Sequence, residues 1–320
     1  MRIVIPGGTG QVGTVLARAF HAGGHDVTVL SRRPRPRPWR VAEWDGASPG
    51  AWRREIDGAD AVINLAGRSV NCRYNAANRE AILQSRLLST RAVGRAIAEA
   101  ARPPRVWLQA GTATIYSHRY DAPNDERSGI LGGAEADAPS TWRFSIDVAR
   151  AWEQTFEEAV TPRTRKVLLR SAMTLSPDAG GVFDTLLRLV HRGLGGHAGD
   201  GRQFMSWIHY EDFVDAVRWL IAHDTLDGAV NVASPNPLPN AQFMEQLRQA
   251  SGVAFGLPAR EWMLEIGAVF MRTETELILK SRRVVPARLL EDGFRFKFPS
   301  WSDAARDLCG QASARHANAA

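Results

Sequence analysis

The chain has 320 residues, 44% of them apolar, enough to bury one large core or two modest ones. Its net charge of +6 is carried mostly by arginine and spread along the chain, without the clustering interleaved with aromatics that marks a nucleic-acid footprint. The two cysteines, Cys72 and Cys309, and the eight histidines lack disulfide or metal-ligand spacing, and no apolar run reaches the roughly 18 residues of a membrane span.

The chain opens on Ile3-Val4-Ile5, a β-branched run that reads as a buried strand of a parallel sheet. Gly7-Gly8-Thr9-Gly10-Gln11-Val12-Gly13 follows, and then Val15, Leu16, Ala19 and Phe20 at helical spacing. Strand, glycine turn and helix place a diphosphate on free N–H groups at a helix N-terminus, where side chains would block its approach. Gly7, Thr9, Gly10, Gln11, Val12 and Gly13 are therefore expected to bind a dinucleotide. A second strand, His25–Leu30, ends in Ser31-Arg32-Arg33 instead of the carboxylate that would hold a ribose 2′-hydroxyl. A hydroxyl with two guanidinium groups suits a 2′-phosphate, so the expected cofactor is NADP(H).

Arg40–Trp44 reads as a short strand, with Asp45 after it placed to face the adenine. Asp60–Leu65 reads as the next buried strand; Leu65, Ala66 and Gly67 would pass beneath the cofactor. A helix pattern between 76 and 101 leads to a strand at Arg105–Gln109, which ends in Ala110-Gly111-Thr112-Ala113-Thr114-Ile115-Tyr116. A helix over 141–159 leads to a sixth strand, Lys166–Arg170. Arg170 at its end is a candidate cofactor contact, with an interior hydrogen-bonding role open beside it. Alternating strands and helices predict an α/β doubly wound parallel sheet. Glycines 193, 195, 196, 199 and 201 suggest a cleft after a helix over 182–192. Phe204–His209 reads as a strand, 211–223 as a helix, 228–233 as a short strand and 240–308 as mostly helical. The expected division is a cofactor domain over 1–175 completed by 203–235, a substrate-binding part over 176–202 and 236–308, and a disordered tail over 309–320.

The glycine turn, Asn64-Leu65-Ala66-Gly67 and Thr112–Tyr116 resemble the extended short-chain dehydrogenase/reductase superfamily. The closer resemblance is to its atypical epimerase family with a C-terminal domain of unknown function of the DUF1731 type. It is carried by Gln84-Ser85-Arg86-Leu87, by Gly193-Leu194-Gly195-Gly196, by Gly201–Phe204 leading to Ser206–His209, and by Val284–Leu290 with Gly293–Phe296. The resemblance implies a Rossmann-type NADP-binding domain and a small, mostly helical substrate domain. It also implies a Tyr-x-x-x-Lys pair on the helix before the sixth strand in catalytic members of the superfamily; aligned on Glu153, this chain has Ser145 and Ala149 there. Relatives commonly carry a glutamate where Arg68 stands, and Gly-Tyr-Tyr-Gly where Thr114-Ile115-Tyr116-Ser117 stands.

Thr112 falls on the family's Ser/Thr position and is the leading catalytic candidate. Tyr116 could point toward the nicotinamide or pack as a loop tyrosine; His209 could stand at the mouth between domains or cap a strand end. Two functions stay open: an NADP(H)-dependent oxidoreductase or epimerase-like enzyme, and a non-catalytic NADP(H)-binding sensor. Arg68, Arg73 and Arg143 suit a small-molecule substrate with an anionic group. No metal, nucleic acid or membrane is expected, while a homodimer and a cytoplasmic location without a secretory signal are.

Overall fold

The computed structural model describes residues 1–135, 139–259 and 276–319. Strands β1 (Arg2–Pro6), β2 (Asp26–Ser31), β3 (Arg40–Glu43), β4 (Ala61–Asn64), β5 (Val106–Ala110) and β6 (Arg165–Ser171) alternate with helices along the chain. With β10 (Gly228–Val232) they form one parallel sheet in the order β10-β6-β5-β4-β1-β2-β3. The order reverses on either side of β1, so the crevice at the C-terminal strand ends opens between β1 and β4.

Helices cover both faces of this sheet, which is why its strands are apolar almost throughout. In β1, Ile3 and Ile5 point to the face covered by α1 (Gln11–Ala22) and α6 (Tyr210–Ala222), where Leu16, Phe20, Phe213 and Val217 lie. Val4 points the other way, toward Val93 and Ile97 of α3 (Ala76–Ala98) and Phe156 of α4 (Ser140–Glu157). All three β1 side chains are fully buried, at about 1.5–3 kcal/mol each by area. The sequence reading has no counterpart for the short helix α2 (Arg53–Ile56) or for β7 (Met173–Leu175).

A third core joins α5 (Val182–His191), α7 (Asn240–Ala250) and the final helix, with Phe243 stacked on Trp301 at 4.0 Å. The expected strand over 204–209 divides at Ser206 into β8 (Phe204–Met205) and β9 (Trp207–His209), and the Ser206 hydroxyl between them donates to Arg282 O (2.6 Å) and accepts from Val284 N (2.9 Å). β8 pairs antiparallel with β11 (Leu238–Pro239) and β9 parallel with β7. Past this third core lie two short helices, α8 (Glu276–Leu279) and α9 (Ala287–Glu291), before the last, α10 (Trp301–Ala319).

Two expectations change. The expected disordered tail is helical as far as Ala319: α10 runs on into it, buries Cys309 and Ala312, and ties Arg315 to Asp178 at 2.5 Å. Its small residues let it lie close to the core without the large apolar stripe that sequence patterning detects. Among the described residues, the glycines after α5 lie against the segment 257–259. Gly193, His197 and Gly199 exchange backbone hydrogen bonds with Leu257 and Ala259, and a Cβ on Gly196 would stand 2.3 Å from the Leu257 carbonyl carbon. Among the described residues, no helix is long and apolar enough to cross a membrane.

Candidate ligand cleft and the buried network beside it

The crevice at the β1–β4 switch is a cleft of about 920 Å³. Its floor is the turn between β1 and α1. Gly7 has φ +74°, and a Cβ there would lie 2.5 Å from Ala66 Cα, so only glycine lets this turn pass the strand-end loop of β4. Backbone bonds from Gly7 to Leu30 and from Leu65 to Pro6, each 2.9 Å, knit the three strand ends together. Helix α1 starts at Gly10 with no side-chain cap and no acidic residue in its first turn, so nothing competes with an anion for its free N–H groups.

Of the expected cofactor contacts, Gly7, Thr9, Gly10, Ser31, Arg32, Arg33, Leu65, Ala66 and Gly67 all line this cleft. Three from the glycine turn serve it from behind. The Gln11 amide is turned to Ser176 Oγ (2.9 Å), Val12 packs on the core, and a Cβ on Gly13 would collide with Gly8 Cα at 2.4 Å. The structure adds Arg35, Arg37, Trp44 and Arg68 to the lining. The signal for two of them was already in the sequence: Arg35 and Arg37 continue the arginine cluster from Arg32-Arg33, with prolines at 34, 36 and 38 keeping the run extended and non-helical. None of the guanidinium groups of Arg32, Arg33, Arg35 and Arg37 meets a carboxylate among the described residues. Asp45 also lines the cleft, but its carboxylate accepts from the Ala47 and Ser48 N–H groups at 2.8 Å, which hold its pKa below the usual range. The cleft therefore presents unneutralised positive charge and fits an anionic ligand.

The wall over β4 is fixed from beneath. Buried Asn64 donates to Gln109 Oε1 (2.9 Å) and accepts from Ala66 N (3.1 Å), which sets the path of Ala66-Gly67. Arg86 donates to Arg68 O at 3.0 Å and lies over the Trp152 ring, and burial pulls its pKa down to about 10.

The other expected site residues are not part of this cleft's lining. Thr112 caps a single 3-10 turn, Ala113–Ile115, its hydroxyl accepting from Thr114 N at 3.2 Å. Tyr116 is buried, and its hydroxyl donates to Asn231 Oδ1 and accepts from Arg170, both at 2.9 Å. Burial pushes the Tyr116 pKa up despite the arginine beside it. Arg170 is not in this cleft's lining; it forks onto both oxygens of Glu153 at 2.9 and 2.7 Å, a buried bidentate pair. His209 is fully buried instead of standing at a mouth. It caps α6 by accepting from Glu211 N (3.2 Å), its Nε2 lies 3.1 Å from Asp307, and Phe298 packs on the ring at 4.0 Å. Burial lowers its pKa, so the ring is neutral near pH 7.

This geometry agrees with the relatives found. A bovine protein named epimerase family protein SDR39U1 is 33% identical over 312 residues, 96% of this chain and 99% of its own length. The crystal structure of human SDR39U1 with NADPH superposes with a TM-score of 0.84 at 30% identity, covering 97% of this chain and 99% of that one. A nucleoside-diphosphate sugar epimerase from Corynebacterium glutamicum has a TM-score of 0.74 at 28% identity, covering 98% of this chain and 61% of that one. The DUF1731 model, a domain of unknown function, matches residues 261–308. The model of the NAD dependent epimerase/dehydratase family matches residues 3–233, and the chain belongs to that family.

Proposed function

We propose that this protein binds NADP(H) in the cleft and acts as an oxidoreductase or epimerase-like enzyme on a small molecule. One observation carries the cofactor choice: Ser31, Arg32, Arg33, Arg35 and Arg37 surround the end of β2 with unpaired positive charge, where a 2′-phosphate on the adenosine would sit. The NADPH in the human relative's structure supports the same reading. The residues fit the group, since the Gly7 turn leaves backbone where a diphosphate would lie and α1 offers uncapped N–H groups. When bound, the cofactor supplies hydride transfer at its nicotinamide ring. The protein's part is to grip the phosphates, to hold the loop over β4 beneath the ribose, and to present the Thr112 hydroxyl beyond β5.

Calorimetric titration with NADPH and NADH tests this. NADPH should bind at least about tenfold tighter than NADH, since charge-assisted hydrogen bonds contribute about 1.5–3 kcal/mol each. Arg32→Asp with Arg33→Asp should abolish that preference; equal weakening of both nucleotides would show that these arginines do not read a 2′-phosphate. The inward-turned Tyr116 and His209 favour a second reading, a non-catalytic NADP(H) sensor. Turnover of any member of a carbonyl panel at saturating NADPH removes it.

A further inference from the structure

The C-terminal part of the chain returns to the strand ends through residues 276–284 and grips the turn that follows β5. Lys280 is 1% exposed, and its Nζ donates to the Thr114 carbonyl at 2.8 Å. Two residues on, Arg282 Nε donates to the hydroxyl of the same Thr114 at 3.2 Å. Ser281 N donates to His118 Nδ1 at 2.8 Å, and Ser145 Oγ donates to Glu276 Oε2 at 2.5 Å. Beneath them Val284 packs with Ala113, Ile115, Tyr116 and Ala149.

Burying an ammonium against a neutral carbonyl is a poor way to gain stability, because an apolar side chain of similar size would avoid the desolvation cost. The charge does, however, fix one thing firmly. Thr114 lies in the 3-10 turn capped by Thr112, and that turn leaves β5 beside the loop Leu65–Gly67, since Asn64 of β4 is in register with Gln109 of β5. A dinucleotide lying across the switch point extends its second half over these strand ends.

We infer that Lys280 is a positioning residue for the nicotinamide half of the site: its ammonium holds the Thr112–Tyr116 turn, and with it the Thr112 hydroxyl, against the ligand's redox-active end. The inference rests on the NADP(H) reading above. It places the cation of this region on the C-terminal segment, whereas the helix position at Ala149 has none. The charged groups around Lys280 are Glu276 from α8, Glu135 and His118 from the loop after Tyr116, and Arg282 from its own segment. Burial, helped by Arg282, draws the Lys280 pKa down to about 8, while His118 is pushed below its usual value and stays neutral throughout that range.

The test compares NADPH with 2′,5′-ADP, which has the adenosine half and no nicotinamide, on wild type, Lys280→Met and Lys280→Arg. Calorimetric affinity and the fluorescence of bound NADPH are read from pH 7 to pH 9. All three proteins should bind 2′,5′-ADP equally. Lys280→Met should bind NADPH about tenfold more weakly through the loosened turn, and Lys280→Arg should recover most of that. The wild-type fluorescence should shift with a midpoint near pH 8, and the shift should be absent in Lys280→Met. A Lys280→Met protein with normal 2′,5′-ADP binding and unchanged NADPH affinity and emission would overturn the inference. Should that variant fail to fold, Lys280→Gln replaces it in the same comparison, and normal 2′,5′-ADP binding with unchanged NADPH affinity and emission in that protein would overturn the inference. Failure of the wild type to bind 2′,5′-ADP would instead bring down the cofactor reading, and this inference with it.

Discussion

The two halves of the strand-end surface use their charges in opposite ways. On the β2 side, four arginines stand exposed along an extended, proline-spaced loop with no carboxylate partner among the described residues. On the β5–β6 side the charges are buried and turned on the protein itself: Arg170 on Glu153 and Lys280 on Thr114 O. Exposed unpaired charge is available to a ligand, whereas buried paired charge fixes the shape of what surrounds it. Under the proposed function, the first half is the one placed to contact a ligand directly, and the second half's charges fix the loops beside it.

The largest effect expected from breaking this contrast is at Arg170. Arg170→Met leaves the Glu153 carboxylate buried without its partner and should destabilise the fold by roughly 3–5 kcal/mol in urea unfolding, with Glu153→Gln in the same chain restoring part of it. NADPH affinity per folded molecule should hardly change; a lost affinity with little lost stability would put Arg170 among the ligand contacts after all. Next comes Gly7→Ala. The new methyl meets Ala66 Cα at 2.5 Å in a backbone of φ +74°, so about 1–3 kcal/mol of stability should go, together with affinity for both NADPH and 2′,5′-ADP. Unchanged binding would mean the turn does not carry the diphosphate.

The smallest effect is a pH dependence. The His209 pKa is lowered by burial, so below about pH 6.5 the unfolded chain takes up a proton that the folded one refuses. Its contribution to stability therefore falls as pH drops below that value, by at most about 1.4 kcal/mol per unit. Urea midpoints at pH 7 and pH 5 should separate less in His209→Gln than in wild type. Equal separation would show that His209 is not held neutral by its surroundings.

What could be read from the sequence was local. The strand Ile3–Ile5, the glycine turn and the apolar stripe of α1 occupy a continuous stretch of chain, and each residue type has a backbone reason to be where it is. The same holds for Ser31-Arg32-Arg33, whose place at the end of β2 follows from the strand before it. The orientation of Tyr116 was not legible, because its partners Arg170 and Asn231 lie 54 and 115 residues further on. Nor could a glycine reserved for a ligand be told from Gly196, which is needed so that two backbone segments can touch.

By itself, then, the sequence determined the doubly wound sheet and the glycine turn that starts α1, since β periodicity, glycine torsions and helix N-termini act over a few residues. Only the tertiary structure decided which charges face the cleft and which are buried. That choice depends on what the rest of the chain brings alongside, as residues 276–284 do when they set Lys280 and Arg282 against a turn more than 160 residues earlier.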